Sequence, residues 1–139
     1  IKEGKNLTAA DDKHHAAMLL SWQNGDYTAK APKGESPAEV LERQIEAWEQ
    51  IASQQEEDII LVCMHGRAMR ILLCYLLDLP LSQMDTFEHT NTCLYLLEHC
   101  ANSGKYTAKV VNDTTHLEGI DWEVVNQQDI LTDTQTVER

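Results

Sequence analysis

Apolar residues recur at helical spacing near the start of the chain. His15, Met18, Leu19 and Trp22 fall on one face of a helix. Thr8 can cap that helix, with Asp11 in place of the capping-box glutamate, and Gly25 is a natural stop. Residues 1–7 read as loop, with Gly4 and Asn6 as breakers. A second loop through Ala31, Pro32, Lys33 and Gly34 leads to a stronger start signal. Ser36, Pro37 and Glu39 supply an N-cap, a first-turn proline and a capping-box carboxylate. Behind them Leu41, Ile45, Trp48 and Ala52 repeat at helical spacing, while Glu42, Arg43, Glu46 and Glu49 lie mostly on other faces. The pattern predicts an amphipathic helix ending near Gln54.

Glu56, Glu57 and Asp58 make a polar turn, after which the period changes. Ile59 to Met64 is a continuous apolar run of strand length, β-branched at its start. Such a run predicts a strand of a parallel sheet, buried on both faces. It ends at His65-Gly66, and from Arg67 to Leu77 the pattern is helical and apolar nearly all round. Asp78, Leu79 and Pro80 close that helix. A connector carrying Met84, Phe87 and His89 leads to two strand candidates, Thr92 to Leu97 and Tyr106 to Val111. Asn102, Ser103 and Gly104 between them predict a hairpin turn. Residues 118–139 are poor in large apolar side chains and rich in Asp, Gln, Thr and Glu; they read as an acidic polar tail, surface-wrapping or partly disordered, behind a domain spanning 1–117.

The hydrophobic fraction of 42% over 139 residues supports one domain with a core. The longest apolar run, Ile71 to Leu77, is far too short to span a membrane, and no signal segment opens the chain. The chain begins without Met inside a loop-like stretch, so further sequence upstream is expected. A net charge of −12 argues against nucleic acid and anionic membrane as partners, since both require a basic face. It leaves room for a small phosphorylated substrate, because a few cationic groups in a cleft outweigh a diffuse acidic surface at short range. None of the four cysteines forms a CxxC pair, and the apolar surroundings of Cys63 and Cys74 read as reduced, buried thiols of a cytoplasmic protein. His89, Cys93, His99 and Cys100 match no zinc spacing, so no metal or other cofactor is expected.

The segment from Ile59 to Tyr75 carries the chemistry. A strand, then His-Gly, then a helix places His65 at a strand's carboxyl end, where open α/β sheets bind ligands. Gly66 lets backbone amides approach a ligand closely. The first helical turn offers free N–H groups and partial positive charge, and an imidazole can add a directed hydrogen bond. The combination suits a phosphate or a carboxylate.

His65-Gly66-Arg67-Ala68-Met69-Arg70 resembles the HGxxxR motif of the histidine phosphatase (phosphoglycerate-mutase-like) superfamily. Gly34-Glu35-Ser36 with Arg43 is similar to that family's GES helix start and its later arginine. Glu3-Gly4 and Trp22 resemble its EG loop and helical tryptophan. Asn91-Thr92-Cys93-Leu94 resembles the strand after the connector, and Asn112 with His116-Leu117 the usual ending. These matches keep the family's order from about Ile1 to Leu117. The resemblance implies a three-layer α/β/α sandwich of phosphoglycerate-mutase type, lacking its N-terminal portion.

It also implies phosphoryl transfer through a phosphohistidine. Hydrolysis of a small phosphomonoester is the first reading. The alternatives are mutase-type transfer, or a non-catalytic phosphate- or protein-binding fragment. The family nucleophile lies in an RHG motif, and this sequence contains none. What carries over is His65 as the catalytic second histidine, with Gly66 and Arg67 as phosphate-binding positions. The Arg67 side chain could contact substrate or point to solvent. Arg70 is expected to pin the helix through an ion pair. Glu35 is a candidate acid, but its place beside an N-cap points to a structural role. Trp22 and Trp48 read as core anchors, and His116 as a structural hydrogen-bonding group. An exposed sheet edge would favour a homo-oligomer.

Overall fold

The computed structural model describes residues 9–53 and 59–119. The expected N-terminal loop, the Thr8 cap, the turn at 56–58 and nearly all of the 118–139 tail lie outside them.

Helix α1 (Ala9–Gln23) forms where the apolar spacing predicts it. Trp22 is buried, with Met18 and Leu19 packed beside it. The helix stops as Gly25 turns to φ +90° and the Asp26 N–H closes onto the Ser21 carbonyl at 2.9 Å. Helix α2 (Pro37–Ser53) begins on a reciprocal capping box. The Ser36 N–H donates to Glu39 Oε2 at 2.9 Å, and the Glu39 N–H donates to Ser36 Oγ at 3.3 Å. A cap of this kind is worth roughly 1 kcal/mol. Helix α3 (Gly66–Leu76) buries Ile71, Leu72, Leu73, Cys74 and Leu76, which accounts for its nearly all-round apolar pattern. It ends where Asp78 adopts φ +56° and the Leu79 N–H donates to the Cys74 carbonyl at 2.8 Å; Pro80 follows.

A short 3-10 helix, Leu81–Thr86, returns the chain over α3 and inserts Met84. Trp22, Ile71, Cys74 and Met84 form the centre of the core, flanked by Tyr27, Val40, Leu41 and Phe87. Strands β1 (Leu94–Cys100) and β2 (Lys105–Asp113) pair antiparallel, joined by a turn at 101–104 in which Gly104 takes φ +68°. The predicted hairpin is therefore present, with β1 beginning at Leu94 rather than Thr92 and running on to Cys100, and β2 extending past both ends of its apolar run. Trp48 of α2 meets Tyr106 of β2 edge to face, with ring centroids 5.6 Å apart.

One expected element is absent. Ile59 to Met64 is not a strand, and the run lies open, with Ile59 84% and Leu61 80% exposed. A strand needs neighbours for its N–H and C=O groups. Among the described residues the sheet has only two strands, and neither pairs with this segment. Cys63 is exposed for the same reason, contrary to its reading as a buried thiol. The described residues thus form helices and a hairpin and do not close a three-layer sandwich. Among them no helix is long and apolar enough to cross a membrane.

Candidate functional site

His65 is the N-cap of α3, with extended backbone at φ −72° and ψ 146°. Its carbonyl accepts the Met69 N–H at 2.9 Å, which starts the helical ladder. Among the described residues no side chain caps this helix, so the first-turn N–H groups lack the partner that α2 receives from Ser36. The His65 side chain is exposed. An exposed imidazole beside uncapped N–H groups can hold an anion.

Gly66 leaves room for a close approach. A Cβ at this position would overlap the imidazole of His89, which packs against the start of α3. Gln44 of α2 ties the same turn down from the other side: its buried side chain donates from Nε2 to the Ala68 carbonyl at 2.9 Å.

The Arg67 side chain is partly exposed and has a partner the sequence did not suggest. It pairs with Asp85 of the 3-10 helix, and its guanidinium carbon lies 5.5 Å from the centroid of the Trp22 ring. Arg70 reaches the same Asp85 oxygen at 3.5 Å, the helix-pinning ion pair expected of it. Two guanidiniums on one carboxylate leave a local excess of positive charge beside the start of α3, in a chain of net charge −12. Gln44 Oε1 and Arg70 Nε are buried without a partner among the described residues.

Other candidates have structural duties. Glu35 receives two hydrogen bonds from Arg43, at 2.8 and 2.9 Å. That guanidinium holds its carboxyl below the usual carboxylate range, the wrong direction for a proton donor. His116 Nε2 lies 3.0 Å from the Thr92 carbonyl. Trp22 Nε1 donates to the Ala29 carbonyl at 2.8 Å. Burial pushes the Cys74 thiol up to about 11, with Asp85 adding to the effect, so it stays protonated. The four residues considered as a metal cluster do not gather. His99 stacks on Tyr106, 4.7 Å between centroids, and only His89 and Cys93 meet. Among the described residues no three His, Cys, Asp or Glu side chains converge.

The family model of the histidine phosphatase superfamily (branch 1) matches residues 3–114. The chain belongs to this superfamily. It is 24% identical over 116 residues to a probable phosphoglycerate mutase, GpmB, of Erwinia tasmaniensis; the match covers 81% of this chain and 52% of that protein. The structure of Bacillus stearothermophilus YhfR superposes with a TM-score of 0.67 at 19% identity, over 85% of this chain and 58% of that one. That likeness is one of fold. The chain thus spans little more than half the length of either relative.

Sequence reasoning passed over Asp85 and Gln44, and weighed His89 only as a metal ligand. No spacing rule links position 66 to 89 or 67 to 85, because the connector that carries Asp85 and His89 has no periodicity. The available signal for Asp85 was charge arithmetic: two arginines on a buried helix need a carboxylate.

Proposed function

We propose that this protein acts in phosphoryl transfer through a phosphohistidine, and that the reaction is hydrolysis of a small phosphomonoester. The observation that carries the reading is His65 at the uncapped start of α3, within a superfamily match that runs along most of the chain. The phosphate sits against the N–H groups of Gly66 and Arg67, and the His65 imidazole donates to one of its oxygens. As negative charge builds on the transferring group, these donors are already in place. The attacking histidine comes from an RHG motif, which this sequence does not contain.

The likeness to a probable phosphoglycerate mutase supports a second reading, transfer to a hydroxyl of a phosphoglycerate rather than to water. The two differ only in the acceptor. The test uses a protein in which this chain is accompanied by an RHG-bearing segment. It compares phosphate release from p-nitrophenyl phosphate and from 2- and 3-phosphoglycerate with interconversion of the two phosphoglycerates. Release without interconversion is the expected result. Interconversion faster than release would establish the mutase reading, and neither activity would reject both.

A further inference from the structure

The His89 imidazole lies against the first residue of α3, with its Cδ2–Nε2 edge nearest Gly66. The residues on either side of it are anchored. Asn112 of β2, at φ +49°, accepts the Thr90 N–H at 2.9 Å through Oδ1, and its Nδ2 donates to Glu88 Oε2 at 3.4 Å. Both neighbours of His89 are thereby tied to the hairpin. The Cys93 N–H then donates to the Thr90 carbonyl at 3.0 Å, which brings Cys93 Sγ to 3.5 Å from His89 Nδ1.

We infer that His89 is a second imidazole of the phosphate site, donating from Nε2 to a phosphate oxygen seated at the start of α3, with Cys93 as the positioning residue that fixes its tautomer. The inference rests on the reading of His65, Gly66 and Arg67 as the phosphate-binding turn. A neutral imidazole carries one proton. With the Cys93 thiol donating to Nδ1, that proton resides on Nε2, the nitrogen on the Gly66 side. His89 is then a donor without having to become an imidazolium. A phosphate monoester offers three terminal oxygens. The helix start and His65 approach it from one element, and His89 approaches from another. Gly66 is the residue that makes room for this second approach, since any Cβ would expel the ring. No bond to phosphorus forms or breaks in this step.

The experiment is an NMR titration of the 139-residue chain with inorganic phosphate, following backbone amides and the imidazole nitrogens. In the unaltered chain His89 should show a protonated Nε2 and an unprotonated Nδ1, and its Nε2 signal should move with that of the Gly66 amide. His89→Ala should weaken phosphate about tenfold, the weight of one hydrogen bond to a charged group. His89→Gln, which keeps a donor near Nε2, should recover most of that loss. Cys93→Ala should shift His89 toward a mixture of tautomers, and Cys93→Ser should restore the single one. Unchanged phosphate affinity in His89→Ala, or a His89 Nε2 signal that ignores phosphate while Gly66 responds, would overturn the role of His89 alone. Absence of any phosphate response at Gly66 in the unaltered chain would instead overturn the phosphate site on which the inference stands.

Discussion

The 139-residue chain alone is expected to release phosphate from p-nitrophenyl phosphate no faster than buffer does. On the proposed function His65 and the start of α3 bind the phosphate, but this sequence contains no RHG histidine to attack it. Water would have to attack unaided, and preorganised donors by themselves do not replace a nucleophile. Accompanied by an RHG-bearing segment, the chain should become active. In that active form His65→Ala should lower kcat by roughly 100- to 1000-fold, the usual cost of removing one donor aimed at developing charge. Full activity in the chain alone, or near-normal activity in His65→Ala, would show that the chemistry lies elsewhere. A stopped assay for inorganic phosphate separates these outcomes.

The largest effect on stability is expected at Trp22. Its ring is buried among Ile71, Cys74 and Met84, its Nε1 donates to the Ala29 carbonyl, and the Arg67 guanidinium lies over its face. Trp22→Ala removes the ring and leaves a cavity, at a cost of about 3–5 kcal/mol. That is a large fraction of the roughly 5–15 kcal/mol by which domains are stable. Trp22→Phe keeps most of the volume and loses the hydrogen bond to Ala29, so about 1 kcal/mol is expected. Urea unfolding followed by circular dichroism measures both. An alanine variant within about 1 kcal/mol of the unaltered chain would mean that Trp22 does not anchor this core.

The helices and the hairpin were legible because their signals are local. The Ser36, Pro37 and Glu39 start of α2 is complete within four residues, and the structure forms the reciprocal bonds that the spelling implies. The apolar character of α3 and the turn before Gly104 are local in the same sense. The run from Ile59 to Met64 failed as a strand because its composition states a preference for neighbours without supplying them. In the candidate site, the start of α3 behind His65 was readable from the contiguous His65, Gly66 and Arg67, while the strand expected before them is not formed. Asp85 and His89 were not readable, because they reach α3 through a connector whose path depends on Met84 packing into the core and on Asn112 holding the Thr90 N–H and the Glu88 carboxylate on either side of His89. Arg67 shows the same limit: its partner Asp85 and its stacking on Trp22 follow from how three separate elements meet.

Anion binding where α3 begins can be seen in a crystal structure of the chain soaked with orthovanadate or tungstate. The oxyanion should lie within hydrogen-bonding distance of the His65 imidazole and of the Gly66 and Arg67 N–H groups, and it should be absent from crystals of His65→Ala. An oxyanion bound only at a remote surface patch, or a start of α3 that stays empty in the soaked unaltered chain, would contradict anion binding at this site.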